Sequence, residues 1–267
     1  MSGLIDLYLQ QFKTSLAAML QYRAALVIWL IGQILEPLIY LVVWTVVSQT
    51  QGGSVGGFTT GEFAAYFIGL MLVNHLTYTW IMYEYEYRVR HGSLSFALLR
   101  PVHPIHSDIA DNVSSKVVSL PGMFLAAVVL GLLFRPTFHF VPWAVAAAVP
   151  ALVMAFLLRF FIEWCLALAA FWMTRVNAVN QTYFAAMLFL SGQVAPVALL
   201  PGWIQTTAAI LPFRWMIAFP LELLLGRLTP IQTMEGFAIQ GAWIGLGWIS
   251  MRIVWRAGVR AYAAVGG

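Results

Sequence analysis

Only 9% of the residues are charged, yet three charges stand where hydrocarbon is expected. Arg159 and Glu163 lie in FLLRFFIEWCLALAA, four positions apart, which places both on one helix face. Glu36 sits in QILEP, near the middle of another apolar run. Ionisable groups at membrane depth are costly and face a partner or water. Two roles stay open for them: a polar lining or gate on a substrate path, or an ion pair that fixes helix packing, since Arg159 and Glu163 can satisfy each other. On the first role, Glu163→Gln lowers export more than folding; on the second, both fall together. Asn74, His75 and Gln193 are weaker candidates of the same kind. His75 has no clustered ligand at metal spacing, and Pro104 between His103 and His106 disfavours the regular helix that would align them with His91, so no metal site is expected. No Ser/His/Asp order or carboxylate pair suggests hydrolysis. With Lys13 and Lys116 as the only lysines, the chain has no GxxxxGK[ST] phosphate loop.

The elements that must carry these residues are membrane spans. The chain has 267 residues, of which 61% are hydrophobic, a composition unsuited to a soluble surface. Apolar runs long enough to cross about 30 Å of hydrocarbon lie near 24–48, 62–83, 112–134, 143–173, 181–200 and 237–256. The reading is all-α and polytopic: one membrane domain over 1–267, with an interfacial segment at 1–23, six spans in 24–256 and a tail at 257–267. Lys13, Arg23, Arg88, Arg90, Arg100, Lys116, Arg175, Arg252, Arg256 and Arg260 fall at one set of span ends, against Arg135, Arg214 and Arg227 at the other. Both termini are therefore expected in the cytoplasm. The opening segment, which lacks a signal-peptide pattern, is expected to be retained.

Leu4, Ile5, Tyr8, Phe12, Leu16 and Met19 recur at helical spacing and predict an amphipathic helix along the membrane surface. The loop QTQGGSVGGFTTG, residues 49–61, reads as a flexible external turn. The fourth run needs about 45 Å as a helix, so it projects from the membrane or bends at Pro150. After the fifth, Pro196, Pro201, Gly202, Pro212 and Pro220 break an apolar stretch that includes Trp203. Such backbone is tolerated at depth only under cover of protein or water, which predicts short helices dipping from the external side. Cys165 reads as a small buried hydrophobe.

The polar segment EYEYRVRHGSLSFALLRPVHP, residues 84–104, holds a short helix. Gly92 stops the preceding element, Ser93 is expected to cap the next, and Pro101 ends it. Leu94, Ala97 and Leu98 share one face with Phe96 and Leu99 on the flank, bordered by Arg100. A helix this short must rest on something, either lipid or a groove in a cytoplasmic partner.

HGSLSFALLRPVHP at 91–104, SGQVAPVALLPGWIQTTAAILPFRW at 191–215 and VWRAGVRAYAAVGG at 254–267 together make nearly the whole chain resemble the permease subunits of type-2 ATP-binding-cassette exporters, in particular the bacterial six-span group of ABC-2 family transporter proteins. The resemblance implies a coupling helix at 93–100 resting on a separate ATPase, an interfacial helix at the start, and external re-entrant helices at 196–220. It also implies a second permease, identical or paralogous, and a cytoplasmic ATPase dimer that binds ATP and Mg; this chain itself needs no cofactor, no catalytic residue and no nucleic acid. Location in the bacterial inner membrane and export of a lipid-linked, amphipathic or hydrophobic molecule follow by the same analogy. The alternatives are an ion-coupled secondary transporter, which would want paired broken helices in inverted repeats, and a membrane enzyme or assembly scaffold. Replacing Leu98 and Leu99 by aspartate is expected to spare insertion and abolish ATPase association.

Overall fold

The computed structural model describes residues 2–173 and 175–262. Residues 263–267 of the expected tail lie outside the described residues, as do the side chains of Leu4, Met19 and Arg23. Helix α1 (Ser2–Gln21) leads into α2 (Arg23–Thr50). A hairpin of β1 (Ser54–Val55) and β2 (Phe58–Thr59) precedes α3 (Thr60–Thr77), α4 (Ile81–Arg90) and the one-turn α5 (Leu94–Leu98). Then follow α6 (Pro104–Phe134), α7 (Pro142–Ala167) with a 3-10 turn at Leu168–Phe171, and α8 (Asn177–Leu190). A 3-10 turn at Val197–Leu199, α9 (Gly202–Ile210), α10 (Phe213–Met216) and α11 (Ala218–Leu224) lead to α12 (Pro230–Ala261).

Among the described residues, four helices are long and apolar enough to cross a membrane: Val27–Thr50, Pro104–Phe134, Pro142–Phe171 and Pro230–Ala261. The fold is that of an all-α, multi-pass membrane protein. The runs expected at 62–83 and 181–200 are not unbroken helices. The first is interrupted at Tyr78–Trp80, and the second ends at Leu190, where Gly192 takes a left-handed turn with φ 87°. Pro150 stands inside α7 without ending it. The last helix runs to Ala261, past the expected start of the tail at 257.

α3 is apolar all round and is the innermost element: Phe63, Tyr66, Phe67, Leu70 and Met71 are buried among α2, α6, α7 and α11. A capping box of Thr59 and Glu62 starts it, and one of Thr229 and Gln232 starts α12. Because lipid is as apolar as a leucine side chain, helix association here depends on close packing. Along α12 the buried residues Thr233, Gly236, Gln240, Gly247, Met251 and Gly258 form one stripe. A Cβ on Gly236 would fall 2.0 Å from the Phe219 ring, and one on Gly258 would fall 2.1 Å from Phe171. These two glycines let α12 approach α11 and the 3-10 turn after α7.

The loop at 49–61 is more ordered than expected. Gly56 and Gly57 both have positive φ, as a two-residue hairpin turn between β1 and β2 requires. Phe58 is buried, with the Arg227 guanidinium 3.6 Å from its ring centroid. At the same end Arg227 and His139 approach the Glu62 carboxylate at 2.6 and 3.4 Å. The opposite end gathers α1, α5, the start of α6 and the end of α12. There α1 packs on α6, with Leu7, Tyr8, Gln11, Phe12, Ser15 and Leu16 half-buried, and Gln11 and Ser15 donate to Asp111. Ile5, expected on the apolar face, is exposed.

Candidate functional site

The break between α3 and α4 organises the polar residues. Tyr78 leaves helical geometry at φ −56°, ψ 142°, and the Lys116 ammonium donates to its carbonyl. No proline or glycine marks this place; TYTW, residues 77–80, supplies only β-branched and aromatic residues. Polar side chains from neighbouring helices brace the break instead, Lys116 through the backbone and Arg159 and Glu163 through the side chains of Asn74, Thr77 and Thr79. Arg159 Nη1 donates to Asn74 Oδ1 at 2.9 Å and to Thr77 Oγ1 at 3.3 Å, and its guanidinium lies over the Tyr78 ring. Arg159 Nε donates to Glu163 Oε1 at 2.7 Å. Glu163, with no exposed side-chain surface, also accepts from Tyr183 at 3.0 Å and from Thr79, inside the break. The ion pair expected from the i,i+4 spacing is present and is tied to α3, the break and α8.

Beside this network lies a cleft of about 500 Å³. Glu36, Asn74, Arg159 and Gln193 line it, so four of the six candidate path residues from four separate stretches meet around one space. Tyr78, Trp80, Tyr83, Gln181 and Phe184, none of them singled out in the sequence, complete a wall of rings and amides. Trp80 stacks on Tyr83 at 4.7 Å, and Tyr83 lies parallel to Phe184 at 6.1 Å. Their signal was weak, because aromatics are common in apolar spans and only the break turns Trp80 and Tyr83 toward the cleft. Glu36 is exposed on its rim and makes no hydrogen bond or ion pair among the described residues. Glu163 is one layer behind the cleft and holds Arg159. His75 points elsewhere, between Gln33 at 3.4 Å and Ser119 at 3.2 Å, where it joins α2, α3 and α6.

The stretch after Leu190 runs through the bundle under cover of side-chain donors. Tyr66 donates to the Gly192 carbonyl and Trp44 to that of Val194, both at 2.8 Å. Gln240 donates to the carbonyl of Trp215 at 2.8 Å, and Trp215 to that of Ala209 at 3.1 Å. Pro196 and Pro212 are buried, whereas Pro201, Gly202 and Trp203 are exposed where α9 begins.

At the other end, α4 continues from the break to α5. Gly92, at φ 70°, stops α4 as expected. Ser93 does not cap α5: it is itself helical, and its hydroxyl donates to the Arg88 carbonyl at 3.4 Å. The helix is also shorter than expected, five residues followed by a turn at Leu99–Arg100 before Pro101. Leu94 is fully buried in a cluster with Tyr85 and Trp164, and Ala97 and Leu98 pack against the same cluster. Phe96 and Leu99 are 72% and 83% exposed. The outward apolar pair is therefore Phe96 and Leu99, and Leu98 belongs to the chain's own packing. A groove of about 450 Å³ lies alongside, lined by Ser93, Phe96, Ala97, Arg100 and Pro101 with residues of α1 and α6.

Among known protein families, the model of one described as ABC-2 family transporter protein matches residues 34–266. No curated protein matches the chain.

Proposed function

The chain belongs to the ABC-2 transporter family, and from that premise we propose that it is one transmembrane half of an exporter, working with a second permease and a cytoplasmic ATPase dimer that binds ATP and Mg. Family membership gives a permease subunit whose ATP hydrolysis resides in a partner. The finer reading rests on one observation, the direct connection between cleft and coupling segment. Asn74 and Arg159 line the cleft; Glu163 links Arg159 to Thr79; α4 then leads to α5, where Phe96 and Leu99 await a partner. Movement of α5 by an ATPase subunit would be carried by α4 to the break at Tyr78–Trp80, and so to the wall of the cleft.

In this reading the chain crosses the bacterial inner membrane six times, with α3–α4 and α8 as the two shorter crossings, and both termini lie in the cytoplasm. The segments α9 to α11 are re-entrant and cover the external end. The cleft joins a carboxylate, amides and an arginine to aromatic rings, which suits a lipid-linked, amphipathic or hydrophobic molecule moving out of the cytoplasm or inner leaflet. Co-expression of the chain with an ATPase subunit encoded beside it tests the reading: a complex stable in mild detergent, with ATPase turnover in lipid altered by the permease, is expected. An ATPase that neither co-purifies nor changes its turnover would remove it.

A further inference from the structure

A second space, distinct from the cleft, lies between the first turns of α6 and the last turns of α12, with a volume of about 550 Å³. Arg252, Arg256, His103, His106, Trp248 and Trp255 carry its chemistry, and no carboxylate lines it among the described residues. Neither arginine forms an ion pair among the described residues. The Arg252 guanidinium lies 4.3 Å from the Trp248 ring centroid, which holds it in place without neutralising it. His103 Nδ1 accepts from the Ile105 amide at 3.2 Å, so in the neutral ring the proton is on Nε2. Burial, with His106 and Arg252 nearby, lowers its pKa, so this ring serves as an uncharged donor.

The depth of the groove identifies its occupant. Arg252 follows Pro230 by 22 positions, about 33 Å along a helix, close to the thickness of the hydrocarbon layer. The arginines thus stand where hydrocarbon gives way to headgroups, with Trp248 one turn inside. Ile249 and Ile253, exposed on the same helix, offer apolar surface for acyl chains. Two unpaired guanidiniums and a histidine N–H match the oxygens of a phosphodiester, a chemistry shared by lipid headgroups and free phosphate; the flanking tryptophans and isoleucines favour the lipid.

We propose that this groove is a binding site for an anionic phospholipid, its phosphodiester held between Arg252 and Arg256 and its chains lying along α12. The bound headgroup would join the end of α12 to the start of α6, next to the connection that leaves α5. The proposal rests on the membrane placement of α12 and not on coupling to an ATPase, so it is tested on the permease chain alone.

The chain and its Trp248→Phe variant are placed in phosphatidylcholine nanodiscs containing a minor fraction of phosphatidylglycerol, and the Trp248 fluorescence is taken as their difference. Phosphatidylglycerol with brominated chains is expected to quench that signal more strongly than the same fraction of brominated phosphatidylcholine. Each arginine should strengthen the preference roughly fivefold. Arg252→Gln/Arg256→Gln should abolish the preference in a chain that stays monodisperse, and Arg90→Gln, outside the groove, should retain it. Equal quenching by the two lipids, a preference that survives the double variant, or loss of it in Arg90→Gln would overturn the site. Loss of the preference on adding inorganic phosphate would overturn the lipid as occupant in favour of a free anion.

Discussion

Glu163 and Glu36 are both carboxylates in long apolar helices, yet their surroundings differ and predict different effects on replacement. Glu163 accepts from Arg159, Thr79 and Tyr183 with no exposed surface. Glu163→Gln would leave the buried Arg159 without its counter-charge, and breaking such a pair costs about 3–5 kcal/mol. That variant is expected to show a large drop in thermal stability in detergent, and transport would fall with it. Glu36 makes no comparable bond, so Glu36→Gln should change stability by no more than about 0.5 kcal/mol while altering transport or substrate-stimulated ATPase activity. Equal thermal losses in the two variants would refute the division of roles. The spacing of Arg159 and Glu163 made their pairing legible in the sequence. That Asn74, Glu36 and Gln193 meet Arg159 was not, because the four come from separate stretches.

At the scale of elements, α5 offers a direct test. Phe96→Asp/Leu99→Asp changes only outward side chains and should leave the permease monodisperse while abolishing ATPase association. Leu94→Asp would force a charge into the cluster around Tyr85 and Trp164 and should destabilise the permease itself. If the outward double variant still binds the ATPase, this turn rests on lipid. For α12, the contacts of Gly236 with Phe219 and of Gly258 with Phe171 leave no room for a branched side chain. Gly236→Val should lower the melting temperature clearly more than Gly241→Val, since Gly241 has open space around its Cα. The positions of α2, α6, α7 and α12 were evident from apolar runs. The interruption of α3–α4 was not, because no local breaker makes it: Lys116 takes up the Tyr78 carbonyl, while Arg159 and Glu163 bind the Thr77 and Thr79 side chains on either side.

For the whole molecule, the hairpin, His139 and Arg227 belong to one end and α1, α5 and the last turns of α12 to the other. Cys165 is the only cysteine, so a Cys165→Ala background permits labelling at chosen points. A cysteine at Ser54 is expected to react with a membrane-impermeant maleimide in intact cells, and one at Leu99 only after the cells are opened; the reverse pattern would invert the orientation. By itself the sequence determined the solvent of the protein, its principal spans, the charge difference between their ends and the family resemblance, because each is a sum over local residue types. Only the tertiary structure decided that scattered polar residues enclose a cleft, that Phe96 and Leu99 face outward while Leu94 faces in, and that proline-broken backbone is held by Tyr66, Trp44 and Gln240. These outcomes depend on which helix faces meet, and residues distant in the chain set that together.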